Sequence, residues 1–314
     1  MNKLRLPDNP TDDFGKGFVD GLLNINKPEG IYTMDLVRRV KKVTRQKRVG
    51  HAGTLDPLAT GVVPICFGRA TRMVEYLIDG IRAYRTTLEF GVETDTYDAD
   101  GRVINRVSDL SVSLKDLEDV LEGFLGSIDQ VPPMYSAIKI DGKRLYELAR
   151  SGIEIERKSR KVHVNDINVV DWFPPFCTLE ISCGRGFYVR SLVHDLGQML
   201  GCGAYVKTLV RLVHGPFKIS ESISFDEIER KVLNGTWHEV LFPPDVAVSY
   251  MKTVTVSNEL AEMIKYGQTI PSPPQSPFYE VNEKYRVYAL DGKFIAVMSF
   301  NSLLGRWHSE RVFI

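Results

Sequence analysis

The run Gly50-His51-Ala52-Gly53-Thr54-Leu55-Asp56-Pro57-Leu58-Ala59-Thr60-Gly61 decides how the rest of the chain is read. Three glycines, a proline and two threonines surround one carboxylate, a composition that turns the backbone sharply and keeps Asp56 on a loop. A carboxylate displayed in this way is a candidate nucleophile or base. Taken alone, an Asp before Pro reads first as an Asx-turn whose side chain accepts from nearby amides.

Working outward, the residues before the loop give a short strand, Leu22 to Asn26, closed by a turn at Lys27-Pro28-Glu29-Gly30. Thr33 is placed to cap a helix whose apolar positions Leu36, Val37, Val40 and Val43 recur at helical spacing. Leu36 to Arg48 carries Arg38, Arg39, Lys41, Lys42, Arg45, Lys47 and Arg48 with no acid, which suits either a solvated helix face or a surface for phosphates. After the loop, Val62 to Phe67 reads as a buried strand. A helix from Ala70 to Ile78 follows, with Met73, Val74, Leu77 and Ile78 inward.

Further on, Ala83 to Phe90 alternates as a strand, with Tyr84 opening it at the sheet edge. The acids of Thr94-Asp95-Thr96-Tyr97-Asp98-Ala99-Asp100-Gly101 lack the spacing and terminal Glu of a calcium loop, so this is read as a hydrogen-bonded turn. Ser113 caps a helix through Leu114, Leu117, Leu121 and Phe124. Gln130 to Gly152 mixes Tyr135 and Tyr146 with Lys139, Lys143, Arg144 and Arg150, a combination suited to phosphate contact and base stacking. Strands Val162 to Trp172 and Cys177 to Cys183 precede a helix that carries Arg190, an arginine that needs an acid partner if buried. His194 and Asp195 resemble a catalytic pair, but neighbours on a helix point in different directions. Another capped helix runs from Ser224 to Gly235, and Phe242-Pro243-Pro244-Asp245 marks a boundary. Beyond it come a helix from Ser257 to Tyr266, a proline-rich loop from Pro271 to Pro277, and strands near 285–290, 294–300 and 311–314 in a small antiparallel sheet.

Composition frames these elements. The 314 residues are 43% apolar and 25% charged, enough for one sizeable domain and a smaller one. No apolar run approaches the ~18 residues of a membrane span, and residues 1–18 are a polar leader rather than a signal peptide. A cytoplasmic location is expected. Cys66, Cys177, Cys183 and Cys202 include no C-x-x-C pair and read as reduced core thiols. Zero formal net charge argues against an obligate nucleic-acid binder, although charge is unevenly placed along the chain.

The loop at 50–61 resembles the G-H-x-G-x-L-D-P-L-A-T-G signature of the bacterial tRNA pseudouridine-55 synthases. Lys27-Pro28, the Thr94 to Gly101 turn, Gln130 to Gly152, Cys183 to Ser191 and Leu209 to Phe217 resemble the family's other motifs. The last departs from the usual pattern, with Val210 and Leu212 where Arg and Thr are common.

The resemblance implies an α+β pseudouridine synthase fold on a mixed, mostly antiparallel sheet, spanning residues 19–245, with an RNA-gripping insertion near 130–160. Residues 246–314 would be a small β-rich, PUA-like RNA-binding domain. Asp56 would be the nucleophile, and Arg190 its ion-pair partner, keeping it ionised. Tyr84 would stack on the target base and assist proton removal. Tyr188 and Leu209 would line the base pocket, His51 would fill the gap left by a flipped base, and Lys27 would support the active-site loop beside the substrate. Lys139, Lys143 and Arg211 complete the substrate-binding set. The implied substrate is the tRNA T-arm, handled by a monomer without metal, organic cofactor, membrane or obligate protein partner. Two other classes stay open: a base-releasing hydrolase using Asp56, which needs a second carboxylate, and a non-catalytic tRNA-binding or folding module.

Overall fold

The computed structural model describes residues 19–140, 142–272 and 283–313. The expected leader at 1–18, part of the proline-rich loop and the last residue of the final strand lie outside the described residues.

The alternating and continuous apolar runs assemble one mixed nine-stranded sheet. In chain order, β1 (Gly21–Lys27), β2 (Val49–His51), β3 (Thr60–Phe67) and β4 (Arg82–Phe90) come first. A separate hairpin, β5 (Val92–Thr94) with β6 (Val103–Arg106), precedes β7 (Gly126–Gln130). A two-residue hairpin of β8 (Lys139–Ile140) and β9 (Lys143–Arg144) is followed by the long strands β10 (Arg160–Phe173), β11 (Phe176–Cys183) and β12 (Ala204–His214), and by β13 (Phe217–Lys218). The spatial order is β1-β3-β12-β4-β11-β10-β7, with β2 added to β3 and β13 to β12.

Every pairing in this sheet is antiparallel except β3 with β12, where Thr60 faces Val210 and Gly61 faces Arg211. That parallel contact joins the end of the Asp56 loop to the strand carrying Leu209 and Arg211. Gly61, at φ 101°, is required there: a Cβ would run into the Arg211 carbonyl.

Tyr84 is not at the sheet edge as its position in the sequence suggested. Its strand β4 lies between β11 and β12, and the side chain is buried. Period-two alternation shows which face of a strand is buried, but not whether the strand has one neighbour or two.

Helices α1 (Thr33–Thr44), α3 (Leu114–Leu121), α5 (Val189–Met199) and α6 (Phe225–Leu233) cover one sheet face. Between α1 and α3 the chain forms the short α2 (Val74–Ile78), preceded by a 3-10 turn from Gly68 to Met73 instead of one continuous helix. Met73, Tyr76 and Leu77 are its buried residues, while Val74 and Ile78 are half-buried. The α1 stripe Leu36, Val37 and Val40 packs with Leu55 and Leu58 of the Asp56 loop, so burial of an amphipathic helix also seats the loop. Ser113 caps α3 as expected, in a reciprocal box with Asp116. The short α4 (Leu145–Arg150) follows β9.

A second, five-stranded sheet follows, built from β14 (Lys252–Val256), β15 (Ile270–Pro271), β16 (Lys284–Ala289), β17 (Phe294–Asn301) and β18 (Arg306–Val312), with α7 (Asn258–Lys265) beside it. It is not wholly antiparallel, because β14 pairs parallel with β16. Its last strand also begins at Arg306, five residues before the expected start. Val297 and Phe313 of this part join Leu22, Cys66, Met73, Tyr76 and Val248 in one buried cluster, so the two sheets share a core. All four cysteines are buried free thiols.

Candidate active site

Asp56 stands on a loop fixed by groups buried beneath it. Lys27 is fully buried, and its ammonium donates to the carbonyls of Pro28 (2.8 Å), Ile31 (2.9 Å) and Pro57 (3.1 Å). Burial lowers its pKa to about 8, with Asp56 opposing that shift. Thr33 does not cap α1; Tyr32 occupies that position without a side-chain bond. The Thr33 hydroxyl instead donates to the Leu55 carbonyl (3.0 Å) and accepts from the Leu55 amide (2.9 Å), clasping the residue before Asp56.

On the other side, Arg211 is 1% exposed. Its Nε donates to Val62 O (2.7 Å), Nη1 to Thr54 O (3.4 Å) and Nη2 to Gly53 O (3.3 Å). Lys27 thus holds the active-site loop from below, the supporting place expected for it, and Arg211, expected in the substrate-binding set, bonds to carbonyls of the same loop and of β3 from the interior.

Above this floor, Arg190 Nη2 lies 2.9 Å from Asp56 Oδ2. The arginine side chain is 4% exposed and the aspartate 34%, so one partner is buried and the other opens to solvent. Arg190 also donates to Thr96 O (3.1 Å) and Tyr135 O (2.8 Å), and its Nη1 lies 3.4 Å from Asp98 Oδ2. One guanidinium therefore holds two carboxylates at once. Asp98 is buried, and that burial raises its pKa although Arg190 pulls it down. Its part in the site escaped the sequence reading, which saw the 94–101 turn and not its charge partner. The signal was present as an acid set within a tight turn.

The other expected site residues lie at different depths. Tyr84 and Leu209 belong to the same buried cluster as Leu55 and Leu58. Burial pushes the Tyr84 phenol up, while adjacent Arg211 draws it back, so the hydroxyl is protonated at neutral pH. Tyr188 sits at the N-terminus of α5, two residues before Arg190, its backbone clamped by Gln130 through N–H to Oε1 (2.8 Å) and Nε2 to O (3.0 Å). Its phenol is raised by burial and then by the charge of Asp56.

His51 ends β2 half-buried, and burial holds its pKa down against a bond to the Gly53 backbone. Lys139 and Lys143 are exposed on the β8–β9 hairpin, apart from the buried cluster. The segment after them reaches the start of α1 on the surface, as Arg150 donates to the Tyr32 hydroxyl (2.6 Å) and lies over both the Tyr32 and Tyr146 rings.

A partly accessible carboxylate paired with a buried arginine, with tyrosines on neighbouring elements, defines an enzyme site for covalent or general-base chemistry. The chain matches the model for the TruB family pseudouridylate synthase N-terminal domain over residues 41–189. It matches the tRNA pseudouridylate synthase B C-terminal domain over 190–249. It is 40% identical to a tRNA pseudouridine synthase B of Dehalococcoides mccartyi, covering 94% of this chain and 97% of the relative. The figures are 40%, 89% and 95% for the Clostridium kluyveri protein of the same name, and 39%, 89% and 91% for that of Pseudomonas aeruginosa. The fold is shared with a chain in the crystal structure of a Cbf5-Nop10-Gar1 complex, at a TM-score of 0.73 and 22% identity, covering 94% of this chain and 85% of that one. The chain belongs to the TruB family of pseudouridylate synthases.

Proposed function

We propose that this protein isomerises uridine to pseudouridine at position 55 in the T-loop of tRNA, with Asp56 as nucleophile. The observation that carries the reading is the Asp56–Arg190 pair, in which a half-exposed carboxylate is held by a buried guanidinium inside a family whose named relatives are tRNA pseudouridine synthases. An arginine at 2.9 Å fixes the direction of the carboxylate, which a nucleophile needs.

The reaction breaks the bond from ribose C1′ to uracil N1, turns the ring, forms the bond from C1′ to C5, and loses the proton from C5 while the freed N1 gains one, so that the product is an isomer of the substrate. Asp56 attacks the ribose or the ring and is released at the end, so the enzyme is unchanged. The target base leaves its stack to reach a carboxylate seated among Tyr84, Tyr188 and Leu209. Tyr84, protonated and buried, supplies a stacking wall and a hydroxyl at the ring, while His51 fills the space the base vacates. A hydrolase releasing free uracil needs a second carboxylate at the leaving group. Asp98, the carboxylate that shares Arg190 with Asp56, is buried behind that arginine.

The basic face of α1 and the segment 130–160 with Lys139 and Lys143 grip the T-arm through phosphates and stacked bases. Residues 19–245 form the catalytic domain, and 246–314 add RNA contacts. The protein acts as a cytoplasmic monomer. In the described residues no helix is long and apolar enough to cross a membrane.

The test is release of tritium from an unmodified tRNA transcript labelled at uridine C5, with Asp56→Asn beside it. One label released per transcript, abolished in the variant with RNA affinity little changed, is the expected result. Equal turnover by the variant removes Asp56 as nucleophile. Equal binding by both proteins without release leaves the RNA-binding module.

A further inference from the structure

Arg190 and His194 are four residues apart on α5, so their side chains leave the same face one turn apart. Both reach the turn from Thr94 to Asp98. Arg190 takes the Thr96 carbonyl and the Asp98 carboxylate. His194 lies flat against the Tyr97 ring, with ring centroids 3.9 Å apart and planes 8° from parallel.

Tyr97 itself is held at φ 65°, a left-handed conformation that a bulky residue rarely adopts. That conformation lets the residues on either side, Thr96 and Asp98, present their oxygens to one guanidinium. The turn is otherwise tied by the Val206 amide donating to Tyr97 O (3.0 Å), the Thr94 hydroxyl donating to Asp98 O (2.7 Å) and the Thr96 hydroxyl donating to Asp98 Oδ1 (2.5 Å). None of these bonds engages the Tyr97 side chain. The His194 ring is the surface against which it is set.

We infer that the Tyr97–His194 stack is a positioning device that fixes the Thr96–Asp98 turn around Arg190, and through Arg190 sets the direction of the Asp56 carboxylate. His194 suits this task because burial keeps its imidazole neutral, with Nδ1 enclosed and without a hydrogen-bond partner among the described residues, so it offers a flat face without a charge. The adjacent His194 and Asp195 are thus not a catalytic pair. His194 touches no reacting group and acts through the turn, a role that rests on the isomerase reading.

Two readouts test it on the full-length protein. His194→Ala removes the ring, His194→Phe restores a flat one, and Tyr97→Gly removes the stack while freeing the backbone at positive φ. At a temperature where each variant is folded, single-turnover tritium release by His194→Ala falls roughly ten- to a hundredfold, as expected when a nucleophile is misdirected by a fraction of an ångström. Its KM for tRNA stays within about threefold of wild type, because the RNA-binding surface is unaltered. His194→Phe recovers most of the rate.

Amide exchange at Val206, which reports the bond to Tyr97 O directly, is faster in His194→Ala and restored in His194→Phe. Wild-type single-turnover rate in His194→Ala, or a His194→Phe variant as slow as His194→Ala, overturns the proposal. Should His194→Ala not fold, Tyr97→Gly decides in its place: loss of rate supports the clamp and full rate overturns it. Wild-type protein that releases no tritium refutes the isomerase reading and with it any role in positioning, whereas unchanged Val206 exchange refutes the clamp by itself.

Discussion

At the residue scale, the site depends on cations in the interior and on what each one neutralises. Arg190→Ala leaves Asp98 as a buried carboxylate without its counter-charge, so a loss of about 3–5 kcal/mol is expected, measured by denaturant unfolding. The double variant Arg190→Ala with Asp98→Asn should regain part of that loss while staying inactive. If the double variant is no more stable than the single one, Asp98 is not the source of the cost.

His214 gives a pH dependence of its own. It is buried, its Nε2 faces Leu77 O at 3.1 Å, and burial with Arg211 nearby lowers its pKa to about 2. The folded protein therefore keeps it neutral while the unfolded chain binds a proton below pH ~6.5, and stability falls on acidification from there. Between pH 7 and pH 5, His214→Gln should shrink that fall by about 2 kcal/mol, read from urea midpoints at the two pH values. An undiminished fall excludes His214 as a contributor.

The sequence carried Asp56 and Arg190 to the same site because both lie in long motifs, and the structure pairs them. It did not show how deeply Arg211 lies. A cation's type does not reveal that carbonyls of the catalytic loop and of β3 converge on it, which is decided by tertiary packing.

At the scale of elements, α1 does two jobs with two faces. Leu36, Val37 and Val40 seat the catalytic loop, while Arg38, Arg39, Lys41 and Lys42 are exposed. Its periodicity made this legible in advance, as did the alternation of β11 and the capped starts of α3, α6 and α7. The place of β4 in the middle of the sheet and the parallel β14–β16 pair were not legible, because neighbours in a sheet are fixed by contacts distant in sequence. Replacing Arg38, Arg39, Lys41 and Lys42 by Gln should leave unfolding within about 0.5 kcal/mol per site of wild type, since the changes are on the surface. The same variant should bind tRNA more weakly, with the slope of log K against log salt reduced by roughly 0.7–0.9 for each phosphate that is no longer neutralised. A salt slope equal to wild type would take α1 out of the RNA interface.

At the scale of the whole molecule, the second sheet is fused to the first by a shared apolar cluster. Phe313, 6% exposed, and Val297 are buried with Met73, Tyr76 and Val248, and Phe313 stacks obliquely on Phe294 at 5.0 Å. Arg311 pairs with Glu75 at 2.6 Å, and Arg72 donates to Val312 O at 2.8 Å, so polar links rim the apolar contact. Exposed pairs of this kind contribute little, on the order of 0–1 kcal/mol, so the apolar cluster dominates. The catalytic strands β1 and β3 contribute Leu22, Val62 and Cys66 to that same cluster. A cavity at Phe313 is therefore felt beneath the Asp56 loop's own sheet.

Phe313→Ala should cost about 3 kcal/mol, as for a buried aromatic replaced by a cavity. Unfolding should remain a single transition, followed in parallel by far-ultraviolet circular dichroism and tryptophan fluorescence, since Trp237 reports the first core and Trp307 the second. Two separated transitions in the wild-type protein would show that the sheets fold independently. In that case the shared cluster would serve only to orient the C-terminal part for RNA.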